Sequence, residues 1–143
     1  MSSISYGFID LHWANTMAQG VLNGVAFDFT TLSSSLYLGI FVNNALSTEM
    51  AGGSYTRQSI TFGTVGAYPG FNAANTNTIT FSNVPAANIY GWGLYSHPTD
   101  ATKMLYYWDN TTGAGFPGTP TPIPVSDGDT VVLNPGAFTL AFA

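Results

Sequence analysis

The feature that most constrains this chain is the spacing of its turn residues. From Leu36 onward, runs of four to seven residues rich in Ile, Leu, Val, Thr, Phe, Tyr and Trp alternate with clusters of Gly, Pro and Asn. Punctuation at that interval excludes long helices there and is the pattern of short strands in a sandwich or barrel. Leu36-Tyr37-Leu38-Gly39-Ile40-Phe41-Val42 is apolar at both odd and even positions, which predicts a central strand. Tyr55 to Phe62 alternates Tyr55, Arg57, Ser59 and Thr61 against Thr56, Gln58, Ile60 and Phe62. That alternation predicts one wet face and one that ends in core residues. Thr78 to Phe81, Ile89 to Tyr95, Met104 to Trp108, Thr130 to Leu133 and Phe138 to Phe142 predict five further strands.

Ahead of the strands the period changes. Ile9, Trp13, Met17 and Val21 recur every four positions, flanked by Ala14, Ala18 and Leu22, which is helical spacing. Asp10 is placed to cap the first turn, and Asn23-Gly24 tolerates the left-handed conformation at which helices end. The pattern predicts one short amphipathic helix over roughly residues 10–23, with Trp13 and Met17 packed on a sheet. No repeat or linker divides the 143 residues, a length at which one core buries roughly two-thirds of the unfolded surface. The expected fold is mainly β: a single domain over residues 1–143, an antiparallel, jelly-roll-like β-sandwich of about seven or eight short strands with one N-terminal helix. Two stretches, Gly63 to Thr76 and the proline-rich Thr111 to Pro124, are long enough as loops to require a purpose. The second is expected to be partly extended and stiff. Ser126-Asp127-Gly128-Asp129 reads as a tight turn feeding a strand.

Charge limits what the chain can bind. Only 6% of residues are charged, against about a quarter in an ordinary soluble protein. Arg57 and Lys103 face seven acids, for a net charge of −5. Nucleic-acid binding needs a basic footprint that this chain lacks. A surface clothed in Asn, Thr, Ser and Gly is weakly protected against self-association, so neighbours are expected to cover much of it. No run approaches 18 apolar residues, so no membrane span is expected. Met1-Ser2-Ser3-Ile4-Ser5 lacks the start of a secretory signal, and the mature chain is expected to begin at Met1 or Ser2.

The residues for catalysis are sparse. With no cysteine, thiolate chemistry and Cys-based metal sites are absent, and disulfides cannot form. The two histidines, His12 and His97, lie at a predicted helix start and in a turn before Pro98, where a capping or solvated role is expected. No phosphate or dinucleotide loop and no nucleophile elbow occurs; Gly91-Trp92-Gly93 lies within a strand. Seven acids give no selected pair for glycoside hydrolysis. Asp127 and Asp129 have oxygens for a hard cation, but Asp-x-Asp in a β-turn is read as structural. Asn110-Thr111-Thr112 has the form of a glycosylation acceptor. No catalytic, cofactor-binding or metal residue is assigned. Tyr90, Trp92, Tyr95, Tyr106, Tyr107 and Trp108 fall on two neighbouring predicted strands. Alternate rings fill the core or an interface in one reading; in the other, Trp92, Tyr95 and Trp108 stack on sugar rings.

Thr48-Glu49-Met50-Ala51-Gly52-Gly53-Ser54-Tyr55-Thr56-Arg57-Gln58 carries a further signal, an acid and a Gly-rich turn leading into Tyr-x-Arg-Gln. This segment resembles a family of small bacteriophage proteins, often labelled tail-fibre-like. The same order of features continues through Asn77 to Phe81, Gly91 to Ser96, Leu105 to Trp108 and Gly128 to Leu140. Gly24 to Ser35 and residues 113–124 depart from the family pattern. The resemblance implies a virion structural component with a β-sandwich fold and no catalysis, assembled in the host cytoplasm. Its partners would be the major capsid protein or tail proteins. A capsid decoration (cement) protein, as a homotrimer, is the expected role; a tail, baseplate or fibre component is the alternative, and a lectin-like host-attachment module a second. Within the motif Glu49, Gly52, Gly53, Tyr55 and Arg57 are the structural residues. Arg57 needs a carboxylate or several carbonyls for its planar fork, and Glu49 across the Gly52-Gly53 turn is the candidate; direct contact with a receptor or neighbouring subunit is the other role open to it.

Overall fold

The computed structural model describes residues 35–64, 71–110 and 121–142. The predicted helix over residues 10–23, with His12, lies outside them. The described chain is mainly β, and every strand pairing is antiparallel. Its ten strands are β1 (Leu36–Phe41), β2 (Gln58–Ile60), β3 (Phe71–Ala74), β4 (Ile79–Val84), β5 (Ala87–Ile89), β6 (Gly91–Tyr95), β7 (Met104–Asp109), β8 (Ile123–Val125), β9 (Asp129–Leu133) and β10 (Thr139–Phe142). A 3₁₀ turn, Ala101–Lys103, precedes β7, with the Asp100 side chain accepting from Thr102 N at its start.

One sheet has four strands in the order β2-β1-β6-β7, and three further pairs are β10-β3, β4-β9 and β5-β8. As predicted, β1 is internal, with β2 along one edge and β6 along the other. Leu38 and Ile40 of β1, Ile79, Phe81 and Val84 of β4, Ile89 of β5, Trp92 and Leu94 of β6, Trp108 of β7, Leu133 of β9 and Phe138 form one buried cluster. Side chains from the different sheets thus meet in a shared core. Rings carry much of it: Trp92 meets Phe138 edge-on at 5.6 Å, and Trp108 lies 4.9 Å from both Phe138 and Tyr106.

Several expectations are corrected. The strand predicted over Tyr55 to Phe62 forms only over Gln58–Ile60, with Phe62 in an isolated bridge to Asn75; at its start Tyr55 and Arg57 turn to partners elsewhere. Ile89 to Tyr95 is two strands, broken at Tyr90, whose N–H reaches Phe41 O while its carbonyl accepts from Asn110 N. The stretches read as long loops contribute β3 and part of β8, and together with the split of Ile89 to Tyr95 these make ten strands where seven or eight were expected. The turn at Ser126 to Asp129 forms as read, with Gly128 at φ +87° and Asp129 N donating to Ser126 O.

Candidate functional site

Of the five motif residues, Glu49, Tyr55 and Arg57 converge on the outer face of the four-stranded sheet, and Gly52 and Gly53 form the turn between them. Past Leu38, β1 no longer pairs with β2, and its edge is taken up by the returning chain: Val42 N donates to Thr48 O and Met50 N to Ile40 O. Between those two pairings the Ile40 N–H is left without a strand partner, and the Tyr55 hydroxyl accepts it at 2.9 Å. The same hydroxyl donates to Glu49 Oε1 at 2.9 Å. Tyr55 thereby fastens the edge, while its ring stacks on Phe81 of the core at 5.9 Å.

Arg57 is the hub. Its Nε donates to Glu49 Oε1 at 2.9 Å and its Nη2 to Glu49 Oε2 at 2.7 Å, the bidentate geometry in which a guanidinium is held most firmly. Nη1 donates to the carbonyls of His97 and Asp100, at 2.8 and 3.1 Å. The guanidinium carbon lies 3.4 Å from the centroid of the Tyr95 ring. One side chain therefore joins the segment before β2, the segment after β1 and the turn between β6 and β7. The Arg57 side chain is 3% exposed and that of Glu49 23%. Burial works against the charge on Arg57, but the hydrogen bonds and charge of Glu49 outweigh it and raise the pKa above the ordinary arginine value. Burial, followed by the negative charge of Glu49, pushes the Tyr55 phenol well above the usual tyrosine range.

Glycines make the floor of this site. Gly39 and Gly93 lie directly opposite one another on β1 and β6. A Cβ on Gly39 would come within 2.8 Å of Glu49 Oε1 and 3.0 Å of the Tyr95 ring; one on Gly93 would come within 2.8 Å of that ring and 2.9 Å of the Phe41 ring. The missing side chains let the Tyr95 ring lie on the sheet with Arg57 above it. Gly52 and Gly53, at φ +95° and +58°, turn the chain back so that Glu49 and Arg57 face each other. The pair expected across that turn is formed.

No protein-family model and no curated protein matches this chain.

The aromatic residues considered for sugar stacking are placed differently from that reading. Trp92 and Trp108 are 1% and 0% exposed, and Tyr95 is 3% exposed beneath Arg57. The Trp92 indole N–H donates to Asn110 Oδ1 at 2.8 Å, and that of Trp108 to Thr139 O at 3.2 Å. These rings offer no face to a glycan or to a neighbouring subunit. This is the reading in which the rings fill the core; Gly91 and Gly93 leave Tyr95 as the one side chain on the outer face of β6, and neighbouring groups fill the space beside it. All five residues of β6 are buried.

The remaining polar candidates are engaged in turns. His97 Nδ1 accepts from Thr99 N at 3.1 Å and Asp100 N at 2.9 Å, so its lone pair is committed to the backbone. Asp129 Oδ2 accepts from Ser126 N at 2.7 Å. Asn110 is buried, with its amide donating to Ile89 O at 2.9 Å and its carbonyl occupied by Trp92. Asn75, missed in the sequence, is a second buried amide: Oδ1 accepts from Phe138 N, and Nδ2 donates to the carbonyls of Asn77 and Asn134. Among the described residues no group of three or more acids and histidines gathers as metal ligands, and no helix is long and apolar enough to cross a membrane.

Proposed function

We propose that this chain is a non-catalytic structural subunit of a bacteriophage particle, a capsid decoration (cement) protein that binds across capsomer boundaries. It folds as a β-sandwich, is assembled in the host cytoplasm as a homotrimer, and takes the major capsid protein as its partner. The carrying observation is the fate of the motif on which the phage resemblance rests: Glu49, Gly52, Gly53, Tyr55 and Arg57 spend their polar groups and backbone freedom on one internal clamp. Residues used in this way specify a scaffold. A catalytic or ligand-reading motif would present free donors or acceptors to solvent, whereas this one turns them inward.

The charge-poor surface supports the same reading. With nine charged residues in 143, and Arg57 and Glu49 paired with each other, little electrostatic repulsion opposes close packing against neighbours. Burial of apolar surface at about 25 cal/mol per Å² offsets the association cost, and many copies per particle add weak contacts through multivalency.

Cryo-electron microscopy of the intact particle tests this. Density matching β1, β6 and β7 is expected on the head, between capsomers. Density confined to the tail, baseplate or fibres would replace the cement role with the tail role, and a particle lacking the chain would overturn the virion reading altogether.

A further inference from the structure

The outer edge of β8 has no free hydrogen-bond donor. In the β5-β8 ladder, Ala87 lies opposite Val125, Asn88 opposite Pro124 and Ile89 opposite Ile123. Pro124 has no N–H, so Asn88 and Pro124 form the non-bonded pair, and the N–H groups of Ile123 and Val125 point towards β5. Thr121 continues the alternation, its N–H donating to Asn110 O at 2.9 Å. The nitrogens on the opposite edge then belong to residues 122, 124 and 126. The first two are Pro122 and Pro124, and the third, Ser126 N, is bound by the Asp129 carboxylate at 2.7 Å. Every donor position on that edge is therefore absent or occupied.

An exposed strand edge ordinarily templates the addition of another strand. This strand has the other properties that would invite it: Ile123 is 43% exposed, and its neighbours on the edge carry no charge until Asp127. We infer that Pro122, Pro124 and the Asp129–Ser126 contact form a guard that closes the β8 edge to strand addition by a second copy of this chain. Copies held at high local concentration then associate through other surfaces and do not run together into a continuous sheet. The guard does not depend on the phage reading, because it acts in any setting where copies meet.

Replacing both prolines with threonine (P122T/P124T) in the full chain restores two outward N–H groups in residues that favour strands. Sedimentation velocity over a range of concentrations is expected to show self-association strengthened by about tenfold or more over the wild-type chain, with an unchanged far-UV spectrum. Hydrogen exchange is expected to show the new amides at positions 122 and 124 becoming protected as concentration rises. P122T alone, which alters no residue of the ladder, serves if the double variant does not fold, and a smaller shift in the same direction is expected. Sedimentation identical to wild type, in whichever of these variants folds, would overturn the inference.

Discussion

The two faces of the β2-β1-β6-β7 sheet are held by different physics. On the inner face Trp92 and Trp108 meet Phe138 in a closely packed apolar layer, and each indole N–H has one partner, Asn110 or Thr139 O. On the outer face one ion pair and two tyrosines, Tyr55 and Tyr95, lie over a floor of glycine, and the ion pair and Tyr55 are tied by hydrogen bonds of defined direction. The inner layer draws its stability from area removed from water and tolerates small adjustments of shape. The outer clamp fixes geometry: it sets where the chain leaves β1, where it enters β2 and where the β6–β7 turn sits. Removing one member of the clamp leaves the others short of a buried partner, whereas trimming one ring of the core leaves a cavity.

Substitutions that break one face and spare the other sharpen this contrast. The largest loss is expected for Trp108→Ala, about 3–5 kcal/mol, from a cavity in the centre of the ring cluster together with a stranded Thr139 carbonyl; urea denaturation measures it. Glu49→Ala is expected to cost about 2–4 kcal/mol, somewhat below the range for fully buried pairs because Glu49 is 23% exposed. Gly93→Ala comes next, at about 1–3 kcal/mol, because its methyl group would meet the Tyr95 and Phe41 rings within 3.0 Å. A thermal melt in which Gly93→Ala matches wild type would show that the glycine floor is not required.

Tyr55→Phe is expected to be the mildest at neutral pH, about 1–2 kcal/mol, since the ring and its stacking on Phe81 remain. Its clearer signature lies in alkali. The folded phenol titrates well above the ordinary value, through burial and then through Glu49, so the fold favours the protonated form. Stability from this group is complete below the unfolded tyrosine pKa of about 10 and is lost as pH rises beyond it, at up to about 1.4 kcal/mol per pH unit. Denaturation midpoints measured between neutral and strongly alkaline pH are expected to fall less steeply in Tyr55→Phe than in wild type. Parallel slopes would show that the hydroxyl is not sequestered.

Much of this was legible from residue order. An apolar run with no wet face marked β1 as internal, and the Gly52-Gly53 turn between them marked Glu49 as the partner of Arg57. The strands that escaped notice have local sequences that contradict their state. In β3, Phe-Asn-Ala-Ala lies among Gly and Asn, and its partner β10 is far away in the chain. β8 contains a proline that is compatible with a strand only because its nitrogen faces away from β5. The orientation of Tyr95 was hidden for another reason. Its side-chain face follows from alternation, but the space that lets the ring lie flat comes from Gly39, which is distant in sequence and adjacent only once the strands pair.

The central claim is that the Gly-Gly-x-Tyr-x-Arg motif acts as one internal clamp, and a double-mutant cycle on Glu49→Gln and Arg57→Met tests it most directly. Because each single change leaves the other charge without its counter-ion, the double variant is expected to be more stable than the sum of the two losses implies, with a coupling of at least about 2 kcal/mol. Losses that add to within about 0.5 kcal/mol would contradict the clamp and leave the motif free for a role at the surface.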